Sequence, residues 1–400
     1  MASLLLPVIY LAFISLGLPD ALLGAAWPNM YQELGASVSW AGIISMIISA
    51  GTVVSSLASD RLYHRFGAGK VTAFSVMLTA LALFGFSISR SFIMLCIIAV
   101  PYGLGAGSVD AVLNNYVALH YKARHMSWLH CMWGVGCSIG PMIMGQALAH
   151  STWNDGYRII SMLQVVLTLI IFISLPLWKK NEATTLESPD NSERSTAHHP
   201  IKEFINKPGV KAVCLCFFCY CALETTMAMW AASYCTLFRG IPAQQATEWA
   251  SLFYIGITAG RFASGFITLK VNEQNMIRMG QALIAVGLIM IALPLGDTVL
   301  LLGLIVTGIG CAPIYPSIIH ETPANFGPEL SQAIIGTQMA CAYIGTCLVP
   351  TIFGYLAEHI SFALYPLYAA ILLVILIAMS ERLHTATKAH RIEYRKSHAE

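Results

Sequence analysis

Two stretches of this sequence, 205 residues apart, share one pattern of small residues. Gly51-Thr-Val-Val-Ser-Ser-Leu-Ala-Ser59 corresponds to Gly256-Ile-Thr-Ala-Gly-Arg-Phe-Ala-Ser264. The same shift places Gly103-Leu-Gly-Ala106 on Gly308-Ile-Gly-Cys311, and a shift of 209 places Gly136, Pro141 and Gly145 on Gly345, Pro350 and Gly354. Three matches in the same order, at nearly one offset, predict that the chain is built from two parallel repeats.

The composition restricts this duplicated chain to a membrane protein. Of its 400 residues, 57% are hydrophobic and 10% are charged, and the mean hydropathy is +0.69. Soluble domains carry about 25% charged residues, so this chain has too few charges to cover solvated faces. The same numbers exclude a disordered chain, and the net charge of +2 excludes electrostatically driven binding to nucleic acid. We therefore expect an all-α membrane protein surrounded by lipid.

A membrane-spanning helix needs about 20 mostly apolar residues, and the sequence contains twelve such segments. They lie near residues 4–28, 38–59, 70–89, 92–118, 127–149, 157–178, 210–237, 246–269, 276–295, 298–320, 330–356 and 362–380. A polar stretch separates the sixth segment from the seventh. We predict a six-helix bundle over 1–178, a linker over 179–209, a second six-helix bundle over 210–381 and a basic tail over 382–400.

The Lys and Arg residues predict the orientation in the membrane. Eighteen of the 22 fall on the side that holds both termini and the linker, and three fall on the other side. Because cytoplasmic loops are enriched in Lys and Arg, we predict that both termini are cytoplasmic. Compact loops and the lack of an N-x-[ST] sequon are typical of a protein of the bacterial inner membrane.

Three acidic residues lie well inside predicted spans, away from their ends: Asp20, Asp110 and Glu224. An ionisable side chain there costs about 2.5–3.5 kcal/mol unless it faces a cavity or a partner, and burial favours the protonated form of a carboxyl. Carboxyls that take up protons are the minimum requirement of a proton-coupled carrier, and we assign this role to Asp20 and Asp110. Glu224 has two open interpretations, contact with a solute or an ion pair with Arg261, which lies in the middle of the eighth span.

The sequence lacks the signatures of other kinds of chemistry. Cys216 and Cys219 form a C-x-x-C pair, but the run around them is apolar and no His or acid flanks it at ligand spacing. We interpret both as packing residues and expect no metal site. The chain has no G-x-x-x-x-G-K-[ST] phosphate-binding loop and no nucleophile–base signature. We therefore expect neither an enzyme nor ATP-driven transport, and no cofactor apart from a coupling proton.

The loop after the second span carries a family resemblance. Ser56-Leu-Ala-Ser-Asp-Arg-Leu-Tyr-His-Arg65 resembles the motif G-x-x-x-D-[RK]-x-G-[RK]-[RK] of the major facilitator superfamily. It keeps Asp60, Arg61 and Arg65 and departs at three positions, among them His64. Together with twelve spans and the duplication, the resemblance covers essentially the whole chain. It implies an alternating-access carrier in which Asp60, Arg61 and Arg65 form a gate.

Within that superfamily the chain resembles the fucose permease group of sugar–proton symporters. The resemblance rests on Leu16-Gly-Leu-Pro-Asp-Ala-Leu-Leu-Gly24, Gly103-Leu-Gly-Ala-Gly-Ser-Val-Asp-Ala-Val-Leu-Asn-Asn115, Leu129-His-Cys-Met-Trp-Gly-Val-Gly136, and Tyr220-Cys-Ala-Leu-Glu224 followed by Trp230. It implies that Asp20 takes part in sugar recognition and proton coupling, and that Asp110 carries the proton where the group has a glutamate. An asparagine that the group has near Trp133 is replaced here, so the group's sugar contacts do not transfer directly.

The candidate site residues are of types that bind sugars. Aromatic rings stack on the apolar faces of a sugar, while carboxylates and amides pair with its hydroxyls. The candidate substrate-binding residues are Asp20, Asn114, Asn115, His130, Trp133, Glu224, Trp230, Tyr254, Tyr315 and Gln338, with His320 and Tyr343 as weaker candidates. We expect a functional monomer that takes up a small polar solute, a monosaccharide, together with protons.

Two other functions stay open. Gly136-x-x-x-Gly140-Pro141-x-x-x-Gly145 resembles the antiporter motif of drug-exporting relatives, so a proton-driven efflux antiporter for amphipathic compounds is the alternative. Small residues at this spacing also serve simple helix crossing. A membrane sensor or scaffold would need an added soluble domain or a long structured tail, and the predicted tail has only 19 residues.

Overall fold

A computed structural model describes residues 2–37, 40–186 and 199–397 of the chain, and every regular element in these ranges is a helix. Part of the predicted linker, 187–198, and the last three residues of the predicted tail lie outside the described residues. Contacts between residues divide the chain into two compact units, which are described separately below.

The first unit comprises residues 1–116 and 132–200. The helices of the chain before the linker are α1 (Ala2–Asp20), α2 (Leu22–Glu33), α3 (Ala41–Phe66), α4 (Ala68–Ile88), α5 (Phe92–His120), α6 (Ala123–His150) and α7 (Trp153–Leu186). Helix α7 packs against α4 and α1, and α3 packs against α4. The core of this unit is therefore built by helices that are distant in the sequence.

The second unit comprises residues 201–400 together with the segment 117–131, which joins α5 to α6. Its further helices are α8 (Ile201–Phe204), α9 (Val210–Ser233), α10 (Ala243–Ile267), α11 (Glu273–Ala292), α12 (Asp297–Cys311), α13 (Ile314–His320), α14 (Thr322–Phe326), α15 (Pro328–His359), α16 (Tyr365–Ala386) and α17 (Lys388–Ser397). Helix α9 packs against α15 and α16, and α12 packs against α10 and α11.

Eleven helical stretches of the described residues are long and apolar enough to cross a membrane. The first of them, Leu5–Trp27, includes the junction of α1 and α2. Helix α6 corresponds to the remaining predicted span; it has 28 residues, and its histidines and glutamine lower its hydropathy. The predicted class, an all-α membrane protein, is confirmed.

The internal repeat reappears in the packing of each unit. A Cβ added at Gly103 would lie 2.2 Å from the backbone oxygen of Ile48, and one added at Gly308 would lie 2.3 Å from that of Phe253. Ile48 and Phe253 are themselves 205 residues apart, the shift found in the sequence. Each unit therefore contains the same crossing, α3 with α5 and α10 with α12. A residue without a side chain is needed there because the two backbones nearly touch.

Helices extend into both the predicted linker and the predicted tail, which the sequence analysis did not predict. Helix α7 continues to Leu186, eight residues into the predicted linker, since no Gly or Pro interrupts the chain between Pro176 and Pro189. The tail forms α17, whose Arg391 is buried and lies 3.7 Å from Glu321. The sequence predicted a basic tail but not this contact, because Glu321 is far away in the sequence.

Candidate functional site

Asp20 lies at a break in the first membrane span. Helix α1 ends at Asp20 and α2 begins at Leu22, with Ala21 between them at φ −99° and ψ 1°. The Asp20 side chain is exposed although its neighbours Leu18 and Leu22 are buried. The indole N–H of Trp133 donates to Asp20 Oδ2 at 2.8 Å. The structure thus brings two predicted site residues into contact.

The break follows from Pro19. This residue has no N–H to donate to the carbonyl of Ser15, four residues earlier. Gln164 of α7 is buried; its Nε2 donates to that carbonyl, and its Oε1 accepts a hydrogen bond from Ser15 Oγ at 2.6 Å. Backbone groups inside a membrane must be satisfied by the protein itself, so Gln164 lets α1 carry a proline beside Asp20. The sequence analysis missed Gln164, whose signal is a polar side chain inside an apolar span.

Two glycines of α6 bring Trp133 to Asp20. A Cβ added at Gly136 would lie 2.3 Å from the backbone oxygen of Ile14, and one added at Gly140 would lie 2.0 Å from that of Leu18. Helix α6 therefore crosses α1 in near backbone contact one turn before Asp20. The glycines of the motif that resembles drug exporters have a packing role at this crossing.

Asp110 and Asn114 form a hydrogen-bonded pair on α5. Asn114 Nδ2 donates to Asp110 Oδ1 at 2.8 Å and to the Asp110 backbone oxygen at 2.9 Å. Both residues are buried, as is Asn115. Asp110 also lies near enough to Asp20 for the two carboxylates to repel each other. The first unit therefore joins both predicted proton-coupling residues in one electrostatic cluster.

Glu224 of α9 and Arg261 of α10 form an ion pair in the second unit. Arg261 Nη2 donates to Glu224 Oε1 at 3.3 Å, and the exposed fractions of the two side chains are 5% for Arg261 and 17% for Glu224. Of the two open interpretations of Glu224, the structure contains the ion pair. Because the Glu224 carboxylate stays partly exposed, the pair leaves it within reach of a solute.

Aromatic rings lie beside this ion pair. The ring of Tyr315 meets that of His130 at 4.6 Å between centroids and those of Phe217 and Tyr220 at 5.0 and 6.0 Å. The hydroxyl of Tyr220 donates to the backbone oxygen of Cys311 at 2.9 Å, where α12 ends. His130 and Tyr315, both predicted site residues, thus meet in the second unit.

Three further candidates lie elsewhere in the second unit. Trp230 donates its indole N–H to the backbone oxygen of Pro350 at 2.9 Å, and its ring packs against Phe353. Gln338 is buried and its Nε2 donates to Thr322 Oγ1 at 3.1 Å. Tyr254 is 52% exposed. The contacts of Trp230 and Gln338 account for their positions, and Glu224 is not among these partners.

The three predicted gate residues have different surroundings. Asp60 is buried; its Oδ2 accepts the backbone N–H of His199 at 3.0 Å, and its Oδ1 lies 3.3 Å from His64 Nε2. Arg61 and Arg65 are exposed. All three residues lie in α3, which continues to Phe66, and not in the loop that the sequence analysis predicted. His199 of the linker, which the sequence analysis did not connect with this motif, contacts Asp60. The role of the three residues as a gate stays a prediction.

The fold and these sites can now be compared with known proteins. The family model described as the Major Facilitator Superfamily matches residues 9–350 and 213–396 of the chain. The chain belongs to the Major Facilitator Superfamily. The resemblance inferred from the loop at Asp60 is confirmed, and with it the architecture of twelve membrane helices in two repeats.

One solved structure and two curated proteins are similar to this transporter. The crystal structure of the Escherichia coli fucose:proton symporter superposes with a TM-score of 0.77 at 15% identity, over 95% of this chain and 98% of that one. Bypass of stop codon protein 6 of Saccharomyces cerevisiae is 22% identical over 394 residues, 91% of this chain and 79% of its own length. The hexuronate transporter of Bacillus subtilis is 24% identical over 288 residues, 68% of this chain and 67% of its own.

Proposed function

We propose that this transporter takes up a small hydroxylated solute, a monosaccharide, in symport with protons. The observation that carries the proposal is the exposed Asp20 carboxylate at a helix break, with the Trp133 indole hydrogen-bonded to it at 2.8 Å. A carboxylate beside an aromatic ring offers a sugar both a hydroxyl partner and an apolar stacking face. The solved symporter whose fold this chain shares is named for fucose and protons.

Proton coupling follows from the repulsion between Asp20 and Asp110. Two nearby carboxylates bind a first proton more readily than either would alone, because the proton removes their mutual repulsion. In the proposed cycle, solute and proton enter from outside and neutralise the cluster. Access then changes to the cytoplasmic side, where deprotonation accompanies release of the solute.

An acidic sugar is a second candidate solute, favoured by Arg261. This guanidinium is buried, and its Nη2 lies 3.3 Å from Glu224 Oε1, a longer contact than the two of 2.7 Å between exposed Arg278 and Glu381. The carboxylate of a solute can compete with Glu224 for this guanidinium. The hexuronate transporter among the relatives is named for solutes of this kind.

Efflux of amphipathic compounds is less well supported. Its sequence argument was the glycine motif of α6, and Gly136 and Gly140 lie against the backbone of α1. The same contact would be needed in an uptake carrier, because it sets Trp133 against Asp20. We propose that the protein works as a monomer in a bacterial inner membrane. The distribution of Lys and Arg supports the proposal that both termini are cytoplasmic.

The test is the external pH of a weakly buffered suspension of cells that contain the protein, as solutes are added singly. The panel pairs neutral sugars with their acids, such as glucose with glucuronate and galactose with galacturonate. We expect one solute of the panel to raise the external pH. A neutral sugar would support the first candidate solute, and a sugar acid would support the second. Silence with every sugar, together with acidification on adding amphipathic cations, would establish efflux instead.

Two variants test the proton assignment. Asp20→Asn keeps an acceptor for Trp133 but cannot ionise, and Asp110→Asn keeps the partner of Asn114. We expect both to lose pH-driven accumulation by at least about tenfold while they still exchange labelled for unlabelled solute across the membrane. Asp155→Asn, at an exposed ion pair with Arg158, is the control and should behave like the unmodified protein. Accumulation that survives in both Asn variants would contradict the assignment.

A further inference from the structure

His320, the last residue of α13, uses both ring nitrogens. Its Nδ1 lies 3.0 Å from Glu273 Oε1, at the first residue of α11, and its Nε2 lies 3.0 Å from the backbone oxygen of Tyr121. The His320 and Glu273 side chains are 17% and 18% exposed. The sequence analysis considered His320 as a weak solute ligand, whereas the structure places it between a carboxylate and a backbone carbonyl.

The two contacts fix the number of protons in this bridge. A backbone carbonyl only accepts, so Nε2 must carry a hydrogen and donate it to Tyr121. The Nδ1 and Glu273 atoms then share a hydrogen bond only if one proton lies between them, as imidazolium with carboxylate or as imidazole with carboxylic acid. Without that proton, two lone pairs face each other at 3.0 Å. The contact therefore exists only while one exchangeable proton is bound.

The charges around His320 come from each element packed near it. Glu273 of α11 and Glu321, at the start of α14, interact favourably with a charged His320. Glu321 is in turn paired with Arg391 of α17. The loop at Tyr121 contributes His125, which a charged His320 repels. The same loop carries Lys122 and Arg124, which interact with His125.

The bridge holds the segment 117–131 at its Tyr121 end. Further along, a Cβ added at Gly265 would lie 2.1 Å from Trp128 Nε1, so the indole lies directly against α10, and Trp128 meets Phe266 at 5.5 Å between ring centroids. This indole contact does not change with protonation. The His320 contact is therefore the point at which proton binding acts on the position of the segment.

We propose that His320 and Glu273 form a proton-binding site, separate from Asp20 and Asp110, whose proton holds the segment 117–131 in the second unit. Loss of the proton breaks the contact of His320 with Glu273, so the imidazole that donates to Tyr121 is no longer fixed and the segment loosens. The segment is the link between α5, which carries Asp110, and α6, which carries Trp133. A proton on the predicted cytoplasmic side thus controls the mobility of the connection between two residues of the solute site, whichever solute is carried.

The test is hydrogen–deuterium exchange of the peptide 117–131 in purified full-length protein, compared at about pH 6 and about pH 8.5, on either side of the usual histidine range, after correction for intrinsic exchange rates. We expect exchange to be about tenfold faster at the higher pH, as loss of one charge-assisted hydrogen bond predicts. The variants His320→Gln and Glu273→Gln should each remove this difference in exchange between the two pH values. His390→Gln, at an exposed histidine of α17, is the control and should retain it.

A second variant separates proton binding from general loosening. Gly265→Ala forces Trp128 away from α10, so exchange in 117–131 should rise at both pH values while the difference between them remains. The proposal is wrong if exchange in the unmodified protein does not differ between the two pH values. It is also wrong if the His320→Gln variant keeps a difference of the same size. These results do not depend on transport, so they stand even if the proposed solute proves incorrect.

Discussion

At the scale of the residue, the position of Asp20 depends on Pro19, Gln164 and Trp133. Pro19 removes a backbone donor and interrupts the helix, and Gln164 supplies the missing hydrogen bond to Ser15. The carboxylate can then stand at the helix break and accept the indole N–H of Trp133. A charged residue in the membrane is tolerated there because the surrounding backbone is satisfied.

The link between Pro19 and Gln164 can be measured by a double-mutant cycle. Gln164→Leu leaves the Ser15 carbonyl without its side-chain donor, and we expect a loss of about 1–2 kcal/mol, the upper range for hydrogen bonds between membrane helices. Pro19→Ala restores the backbone donor, so Gln164→Leu should cost much less in that background. Thermal unfolding of the four purified proteins checks this. Equal costs in both backgrounds would mean that Gln164 does not compensate for the proline.

At the scale of the element, the angle and closeness of helix crossings place the site residues. Helix α6 meets α1 through Gly136 and Gly140, and this contact brings Trp133 to Asp20. The same principle operates in each unit at Gly103 and Gly308, where matched glycines lie against matched carbonyls. Small residues in these helices therefore have a positional function that composition alone does not reveal.

The crossing of α1 and α6 provides a matched pair of variants on one helix. A Cβ at Gly140 would lie 2.0 Å from the Leu18 backbone oxygen, while one at Gly145 would have nothing within 4 Å. We expect Gly140→Ala to destabilise the protein by about 1–3 kcal/mol and to reduce uptake sharply, since Trp133 moves away from Asp20. Gly145→Ala should leave unfolding temperature and uptake unchanged. Similar behaviour of the two variants would argue against close packing at Gly140.

At the scale of the whole molecule, the chain forms two packed units. The grouping of residues by their contacts differs from their order in the sequence. Residues 117–131, the end of α5 and the start of α6, lie in the first half of the sequence, yet their contacts group them with 201–400. Tyr121 and Trp128 make those contacts with His320 and Gly265. Each unit has its own buried core. The segment 117–131 lies in the first half of the sequence but packs within the second unit.

This division predicts that the chain can be split in the linker. Fragments 1–187 and 188–400, co-expressed in one cell, should restore solute uptake, because each retains its own helices and the first carries the segment that packs in the second unit. Either fragment alone should be inactive, since it lacks one repeat. Uptake assays with both fragments and with each one check this. Activity of a single fragment, or none with both, would contradict it.

The sequence by itself determined the class, the span count, the duplication and the acidic residues of this protein. These features follow from composition, segment length and small-residue spacing, which are local properties that a lipid environment constrains strongly. The pairing of Asp110 with Asn114 was also within reach, because residues four apart share a helix face.

The tertiary structure alone decided which distant residues meet. The Trp133 indole donates to Asp20, and Gln164 donates to the Ser15 carbonyl. Glu224 pairs with Arg261. His320 contacts both Glu273 and Tyr121. Each contact depends on the rotation and closeness of two helices far apart in the chain. Those quantities are set by packing between side chains and glycines on several helices at once, so no single stretch of sequence specifies them.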